Sequence, residues 1–403
     1  MGRSLDLVVF PRRPRLLAAS VDRIRSYNSV MDSAVASNQV GDGNQRGETD
    51  GAPLRTIAHI DLDAFFVSVE LQRRPDLKGL PVIVSGSGPR SVVTTASYEA
   101  RRHGVGSAMP AAKALRLCPD AVVIEPDSHR YREASRAVMA VIHHQIDEVE
   151  QAGLDEAYID LTGLSSPIAT MRTIVREIEE QTGLHASVGI GPNKLVAKVA
   201  SDAEKPRGFV VISRVQACEW FADRPCGLIP GIGPKTVERL RVLRIESIAQ
   251  LAGADEQQLW EAFGERQGSI LKSRAAFIDG SPVVSNREAV SESRETTFDT
   301  DLSDRTELLE RLAGLSADLC SALRRHGHQG RTIGIKIRYA NFETHTRART
   351  LSALTSDQET VTRVARELFE EFDPQHPVRL IGVRVAGFQT PEAASGQMSL
   401  PLS

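Results

Sequence analysis

Two short acidic clusters hold the residues best suited to chemistry. Asp61 and Asp63 lie in Ile60-Asp61-Leu62-Asp63-Ala64-Phe65-Phe66, and Asp155 and Glu156 lie in Gly153-Leu154-Asp155-Glu156-Ala157-Tyr158-Ile159-Asp160. Alternate residues of an extended strand share a face, so Asp61 and Asp63 are expected to project together while Leu62 turns into the core. Adjacent carboxylates repel, and keeping both ionised takes a cation; hard oxygen donors favour magnesium or manganese over metals that take softer ligands. A single Asp-x-Asp also reads as a solvated charge pair at a strand end. Four acids in two strand-like segments point instead to one shared metal site.

Three other stretches carry groups suited to phosphate. Thr95-Ala96-Ser97-Tyr98-Glu99-Ala100-Arg101 has helical character, and on a helix Thr95, Tyr98 and Arg101 would line one face with a hydroxyl, a phenol and a guanidinium. The same pattern fits a surface helix with a capping hydroxyl. Lys205 precedes Pro206, which biases its backbone toward an extended form that reaches outward. Pro230-Gly231-Ile232-Gly233-Pro234-Lys235-Thr236 reads as a hairpin with a helix on either side, its N–H groups able to take a phosphate and Lys235 adding charge. A tight connection between two helices is the other reading of that run.

The elements that must position these residues follow from periodicity. Strands are expected at Thr56 to Asp63, Pro81 to Val84, Val92 to Thr94, Gly153 to Asp160 and Ala186 to Ile190, interleaved with helices at Phe65 to Gln72, Tyr131 to Glu148, Ile168 to Thr182 and Asn193 to Ala200. This alternation ends near Ile212. A final domain from Arg294 to Phe388 reads as strand, helix, two strands, helix and strand, with Lys336 and Arg338 on one face of a central strand. Residues 1 to 53, rich in Gly, Asp, Asn and Gln toward their end, read as a disordered extension.

At 403 residues the chain has room for several domains, and its net charge of −3 is nearly neutral. The basic residues are unevenly spread: Arg324, Arg325, Arg331, Lys336, Arg338, Arg347 and Arg349 stand against Glu343 alone between positions 324 and 349. Such a local excess can hold a polyanion. The four cysteines form no Cys-x-x-C pair, which argues against a zinc or disulfide framework, and no apolar run is long enough to span a bilayer. A cytoplasmic protein with no membrane partner is expected.

In order and spacing, Asp61-Leu62-Asp63-Ala64-Phe65-Phe66, Thr95 to Arg101, Leu154-Asp155-Glu156-Ala157-Tyr158, Asn193-Lys194 and Lys205-Pro206 resemble the Y-family of DNA polymerases, and within it the bacterial DNA polymerase IV type. The resemblance runs from Thr56 to the C-terminus. It implies an α+β multidomain right hand: a palm at 54–64 and 129–212 with a ferredoxin-like antiparallel sheet, small fingers at 65–128, a helical thumb at 213–281 with the helix-hairpin-helix, a linker at 282–293 and an α/β little finger at 294–388. It further implies low-fidelity, translesion, template-directed nucleotidyl transfer without proofreading, on primer–template DNA and deoxyribonucleoside triphosphates, by a monomer. Asp61, Asp155, Glu156 and the Leu62 carbonyl would hold two magnesium ions, manganese being a possible substitute, with Asp63 in support.

By the same carry-over Thr95, Tyr98, Arg101 and Lys205 would take the triphosphate, Phe66 would exclude a 2′-hydroxyl, and Asn193, Lys194, Gly231, Gly233, Lys235, Lys336 and Arg338 would touch DNA. Within the tail at 389–403, Gln397, Met398, Ser399, Leu400, Pro401 and Leu402 resemble a bacterial sliding-clamp motif. Gly153, Val67 and Arg207 depart from the family's usual residues. Two other classes share parts of the pattern: a nucleotidyl cyclase, which also sets paired acids around two metals, and a non-catalytic protein that binds DNA and the clamp.

Overall fold

The computed structural model describes residues 55–286 and 288–388. They form two compact units, one of residues 55–86 and 92–286, the other containing 288–388. The strands in chain order are β1 (Ile57–Leu62), β2 (Val82–Ser85), β3 (Val93–Ala96), β4 (Val122–Ile124), β5 (Val149–Gln151), β6 (Glu156–Asp160), β7 (Ala186–Gly191), β8 (Phe209–Val211), β9 (Ser291–Leu302), β10 (Gly330–Tyr339), β11 (Thr344–Thr355) and β12 (Val378–Phe388).

The first unit is built on a five-stranded sheet in the order β5-β6-β1-β7-β8. Its pairs are antiparallel as expected, except that β8 runs parallel to β7. β1 is the middle strand and is buried along its whole length. Alternation still sorts its two faces. Ala58, Ile60 and Leu62 join an apolar core with Val138 and Ile142 of the Ser128–Gln145 helix and Met171, Ile174 and Ile178 of the Pro167–Thr182 helix. His59 and Asp61 face the other way, toward the Lys194–Ala203 helix.

That helix lies unusually close to the sheet. A Cβ on Gly189 would stand 2.1 Å from the Ala197 carbonyl oxygen and 2.3 Å from the Ser201 nitrogen, and one on Gly191 would stand 2.5 Å from Val196 Cγ1. Only hydrogen fits at these positions. The missing side chains in the strand let the polar face of the helix reach the acids of β1.

A second, three-stranded sheet has the order β3-β2-β4. Here the structure corrects one expectation. Thr95 belongs to β3, and the helix that follows is a single turn, Tyr98–Arg101, capped by Ser97, which accepts from the Ala100 N–H. The β-branched pair Thr94-Thr95 keeps the chain extended until the capping serine turns it. Likewise Asp155 precedes β6 and does not lie within a strand. The Pro230 to Gly233 turn has an α-helix, Pro234–Val242, only after it; a 3-10 turn, Cys226–Leu228, precedes it. Short helices from Arg214–Trp220 to Glu265–Ala275 close around Leu240, Leu251, Leu259, Leu271 and Phe277.

The second unit is an antiparallel sheet in the order β11-β10-β12-β9. Ile333, Ile335 and Ile337 of β10 are buried in one core with Leu312 and Leu319 of the Arg305–His326 helix and with Val361 and Leu368 of the Gln358–Phe372 helix. Lys336 and Arg338 alternate with those isoleucines and take the opposite face. Among the described residues no helix is long and apolar enough to cross a membrane. The expected extension at 1–53 and the tail at 389–403 lie outside the described residues.

The close packing at Gly189 yields a test. Gly189→Ala should lower unfolding stability by about 3 kcal/mol, an overpacking cost read from the urea midpoint, whereas alanine at half-buried Gly106, where nothing lies within 4 Å, should leave it nearly unchanged.

Candidate catalytic centre

Strand register brings the two acidic clusters together. Asp61 of β1 is the direct cross-strand partner of Glu156 on β6, and the Leu62 N–H donates to the Asp155 carbonyl at 2.8 Å. Gly153 sits tightly behind the pair: a Cβ there would be 3.3 Å from both Asp155 Oδ1 and Glu156 Cγ. This departure from the family's usual residue therefore leaves both acids room.

Two ammonium groups enter the cluster from the same side. Lys198 Nζ lies 3.1 Å from Asp61 Oδ2 and 2.6 Å from Glu156 Oε2, and Lys205 Nζ lies 2.6 Å from Asp61 Oδ1 and 2.7 Å from Asp202 Oδ1. Burial opposes the charge of each lysine, but the surrounding acids, Asp61 foremost with Asp202 and, for Lys198, Glu156, together outweigh it and raise both pKa values. Burial, then the charges of Asp61 and Glu156, push the Asp155 carboxyl up. Glu156 goes the other way, held down to about 2 by the His59 ring and Lys198 against its burial. Geometry favours Lys198 of these two, since His59 Nε2 stands 3.5 Å from Glu156 Oε2 and burial drives the imidazole toward its neutral form.

His59 is fully buried, and its Nδ1 shares a 2.8 Å hydrogen bond with Ser201 Oγ. Ser201 Oγ in turn donates to the Lys198 carbonyl at 2.8 Å. With the serine proton committed there, Nδ1–H must be the donor, which leaves a lone pair on Nε2. That atom has no hydrogen-bond partner among the described residues, and it lies within 4.8 Å of ligand atoms on Asp61 and Glu156.

Asp63 lies next to this cluster but is occupied by its own protein. Its Oδ1 accepts from Ser187 Oγ at 2.9 Å and from the Tyr98 hydroxyl at 3.2 Å, and its Oδ2 accepts from the Arg207 backbone N–H at 2.8 Å. The supporting role expected of Asp63 fits these bonds better than direct metal ligation. Arg207, another departure, has φ of 58° and so aims its N–H at the carboxylate. Ala64, next in the chain, is left-handed at φ 45°, a cost of about 1 to 2 kcal/mol for a residue with a Cβ. Ser68 offsets that cost by bonding Asp63 O through its hydroxyl and Ala64 O through its N–H.

From that turn the Phe65–Arg73 helix starts. Phe65 and Val67 are buried, while half-buried Phe66 stacks on Tyr131 with ring centroids 4.0 Å apart. Tyr131 is fixed by its hydroxyl, which donates to Glu70 at 2.8 Å. Thr95 is buried on β3, and exposed Arg101 lies 4.9 Å over the Tyr98 ring with its Nε on the Ala96 carbonyl. Burial and the Asp63 charge push the Tyr98 phenol up, so it remains a donor.

The residues expected to touch DNA are placed unevenly. Asn193 is buried as a helix cap: its Oδ1 accepts from the Val196 N–H and its Nδ2 donates to the Phe277 carbonyl, so its amide is already used inside the fold. Lys194 is held by Glu150 at 2.6 Å, over the Tyr158 ring. Gly231, Gly233 and Lys235 are exposed, and Gly231 has φ of 85°, a backbone conformation that favours glycine. In the second unit Lys336 pairs with Glu295 at 2.8 Å, and Arg349 pairs with Glu367 and Glu371, so acids from other segments offset part of the basic excess. Gln397 to Leu402 lie outside the described residues.

The donor set suits a hard divalent cation. Two paired carboxylates and a third acid pushed up by burial and by their charge make an oxygen-rich site that attracts positive charge, as the two lysines already show. Sequence reading missed His59, Lys198 and Ser201. His59 alternates with Asp61 on one strand face, and Lys198 is the lone charge within the apolar run Leu195 to Ala200; those were the available signals.

Comparison with known proteins places this geometry. Residues 60–202 match the impB/mucB/samB family and residues 289–400 match its C-terminal domain. DNA polymerase IV of Methanoculleus marisnigri is 42% identical over 339 residues, covering 82% of this chain and 94% of that protein. DNA polymerase IV of Caulobacter vibrioides is 40% identical over 349 residues, covering 85% of this chain and 86% of its own. A solved Y-family DNA polymerase chimera, Dbh-Dpo4(243-245)-Dbh, superposes with a TM-score of 0.74 at 26% identity, over 83% of this chain and 99% of that one.

The charge arrangement predicts an inverted stability effect. A carboxyl whose folded pKa is raised costs stability once ionised, so Asp155→Asn should raise the melting temperature of the metal-free protein at neutral pH. Calorimetry should show the gain shrinking as pH falls toward the ordinary aspartate value of 3.8.

Proposed function

The chain belongs to the impB/mucB/samB family, the Y-family DNA polymerases, and on that premise we propose how its residues carry out synthesis. It is a DNA-directed DNA polymerase of the translesion type, a nucleotidyltransferase acting on primer–template DNA with deoxyribonucleoside triphosphates. Its family depends on metal. In our reading Asp61, Asp155, Glu156 and the Leu62 carbonyl hold two magnesium ions, with manganese an acceptable replacement. Bound there, the metal would make a primer 3′-hydroxyl more acidic and offset charge building on the phosphates.

The observation that carries this reading is the cross-strand pairing of Asp61 with Glu156 under Lys198, with Lys205 on the other Asp61 oxygen. Lys205 is the ammonium positioned to follow a triphosphate, since it reaches the cluster from the turn after the Lys194–Ala203 helix and not from the helix itself. Tyr98 and Arg101, stacked on one another, present a hydroxyl and a guanidinium from the helical turn that follows β3, and Thr95 lies on that strand. Phe66, backed by the Tyr131 ring, is a fixed flat surface on which a sugar with a 2′-hydroxyl would collide. Gly231, Gly233 and Lys235 offer backbone N–H groups and charge to a DNA phosphate without reading its base, and Lys194, Lys336 and Arg338 add positive charge. We place clamp binding in Gln397, Met398, Ser399, Leu400, Pro401 and Leu402, and take the working form to be a monomer.

Primer extension tests the centre directly. Glu156→Gln should slow nucleotide addition on the order of a thousandfold with DNA affinity retained, and an undiminished rate would refute the metal assignment. In the same assay Phe66→Ala should raise ribonucleotide incorporation roughly tenfold or more; unchanged sugar selection would reject the gate. Truncation after Phe388 should abolish co-elution with a bacterial clamp and spare clamp-independent extension.

A further inference from the structure

The second unit carries a set of ligating atoms that nucleotidyl transfer does not use. The Arg305–His326 helix ends at Gly327, whose φ of 70° reverses the chain and lets the His328 N–H reach the Leu323 carbonyl at 2.8 Å. This turn brings His326 and His328 to one side, with ring centroids 5.8 Å apart. Glu292, near the start of β9, faces them. Its Oε2 is 3.2 Å from His326 Nδ1 and 3.9 Å from His328 Nδ1.

The remaining contacts fix the donors in place. Arg294 Nη2 holds the other Glu292 oxygen at 3.0 Å, and Phe388 stacks on the His328 ring at 4.8 Å. His328 Nδ1 is closed off from solvent and has no hydrogen-bond partner among the described residues. A buried polar atom left without a partner is costly, so its placement against a carboxylate and a second imidazole calls for an explanation.

We propose that Glu292, His326 and His328 form a binding site for a borderline transition-metal cation of the zinc class. One ligand atom from each lies within 4.8 Å of the others. Ligands about 2.1 Å from a tetrahedral ion stand about 3.4 Å apart, and the two imidazole–carboxylate distances of 3.2 and 3.9 Å bracket that spacing. Two nitrogens and one oxygen select zinc, cobalt or nickel over magnesium and calcium, which prefer oxygen alone. Arg294 is then an outer contact that orients the carboxylate. A metal here would tie the beginning of β9 to the end of the Arg305–His326 helix. The competing account is a hydrogen-bonded cluster in which the histidines contribute no metal affinity.

Cobalt separates the two. The full chain, stripped with a chelator, is titrated with Co2+ while visible absorption is followed. We expect one equivalent to give the intense ligand-field band of a tetrahedral site. Its dissociation constant should rise at least about tenfold in His328→Asn and in Glu292→Gln, and the band should persist when Asp61→Asn and Glu156→Gln are combined, which separates it from the catalytic acids. Circular dichroism and magnesium-supported primer extension of the His328→Asn and Glu292→Gln proteins should match the parent, showing that they fold. No band, or a band that survives His328→Asn in a folded protein, overturns the proposal.

Discussion

The mutual repulsion of Asp61, Asp155 and Glu156 is the constraint to which the first unit is adapted. Three carboxylates cannot be assembled at the middle of a sheet unless something positive meets them, and the fold supplies Lys198 and Lys205 from one helix and the segment after it. Placing those lysines requires the helix to approach β7 more closely than side chains allow, hence Gly189 and Gly191. Gly153 leaves Asp155 and Glu156 room at the same place, where a Cβ would stand 3.3 Å from each. The glycines that would weaken an ordinary strand or turn are here the condition for a charged centre.

A centre arranged this way gives up stability to remain reactive. Burial and neighbouring charge raise the Asp155 carboxyl, while Glu156 is held down to about 2, so environment separates acids of similar intrinsic strength. Divalent cations reward the same arrangement, because they are attracted by the concentration of charge that folding alone would avoid.

Much of this was legible in the sequence. The order of strands and helices, the identity of the paired acids and the opposite facing of Leu62 and Asp61 followed from periodicity. What escaped depends on contacts distant along the chain. His59 and Lys198 acquire their meaning only when β1 and the Lys194–Ala203 helix are packed together, through Ser201 and Glu156. The bond from Asn193 to the Phe277 carbonyl was likewise hidden, because it joins residues far apart in sequence. The basic run ending at Arg349 looked unopposed because Glu367 and Glu371 come from a later helix. Thr95 was misplaced for a local reason: the helix after it is one turn long, too short to impose a period.

The Tyr98 hydroxyl has a single proton, and the fold gives it to Asp63 across 3.2 Å. It cannot give the same proton to a phosphate oxygen. In the reading proposed above, a nucleotide phosphate reaching this phenol would trade one acceptor for another, leaving Asp63 with its bonds from Ser187 and Arg207 alone. A phosphate contact at Tyr98 would then be worth only the difference between two bonds competing for one hydrogen, a small gain by design of the fold.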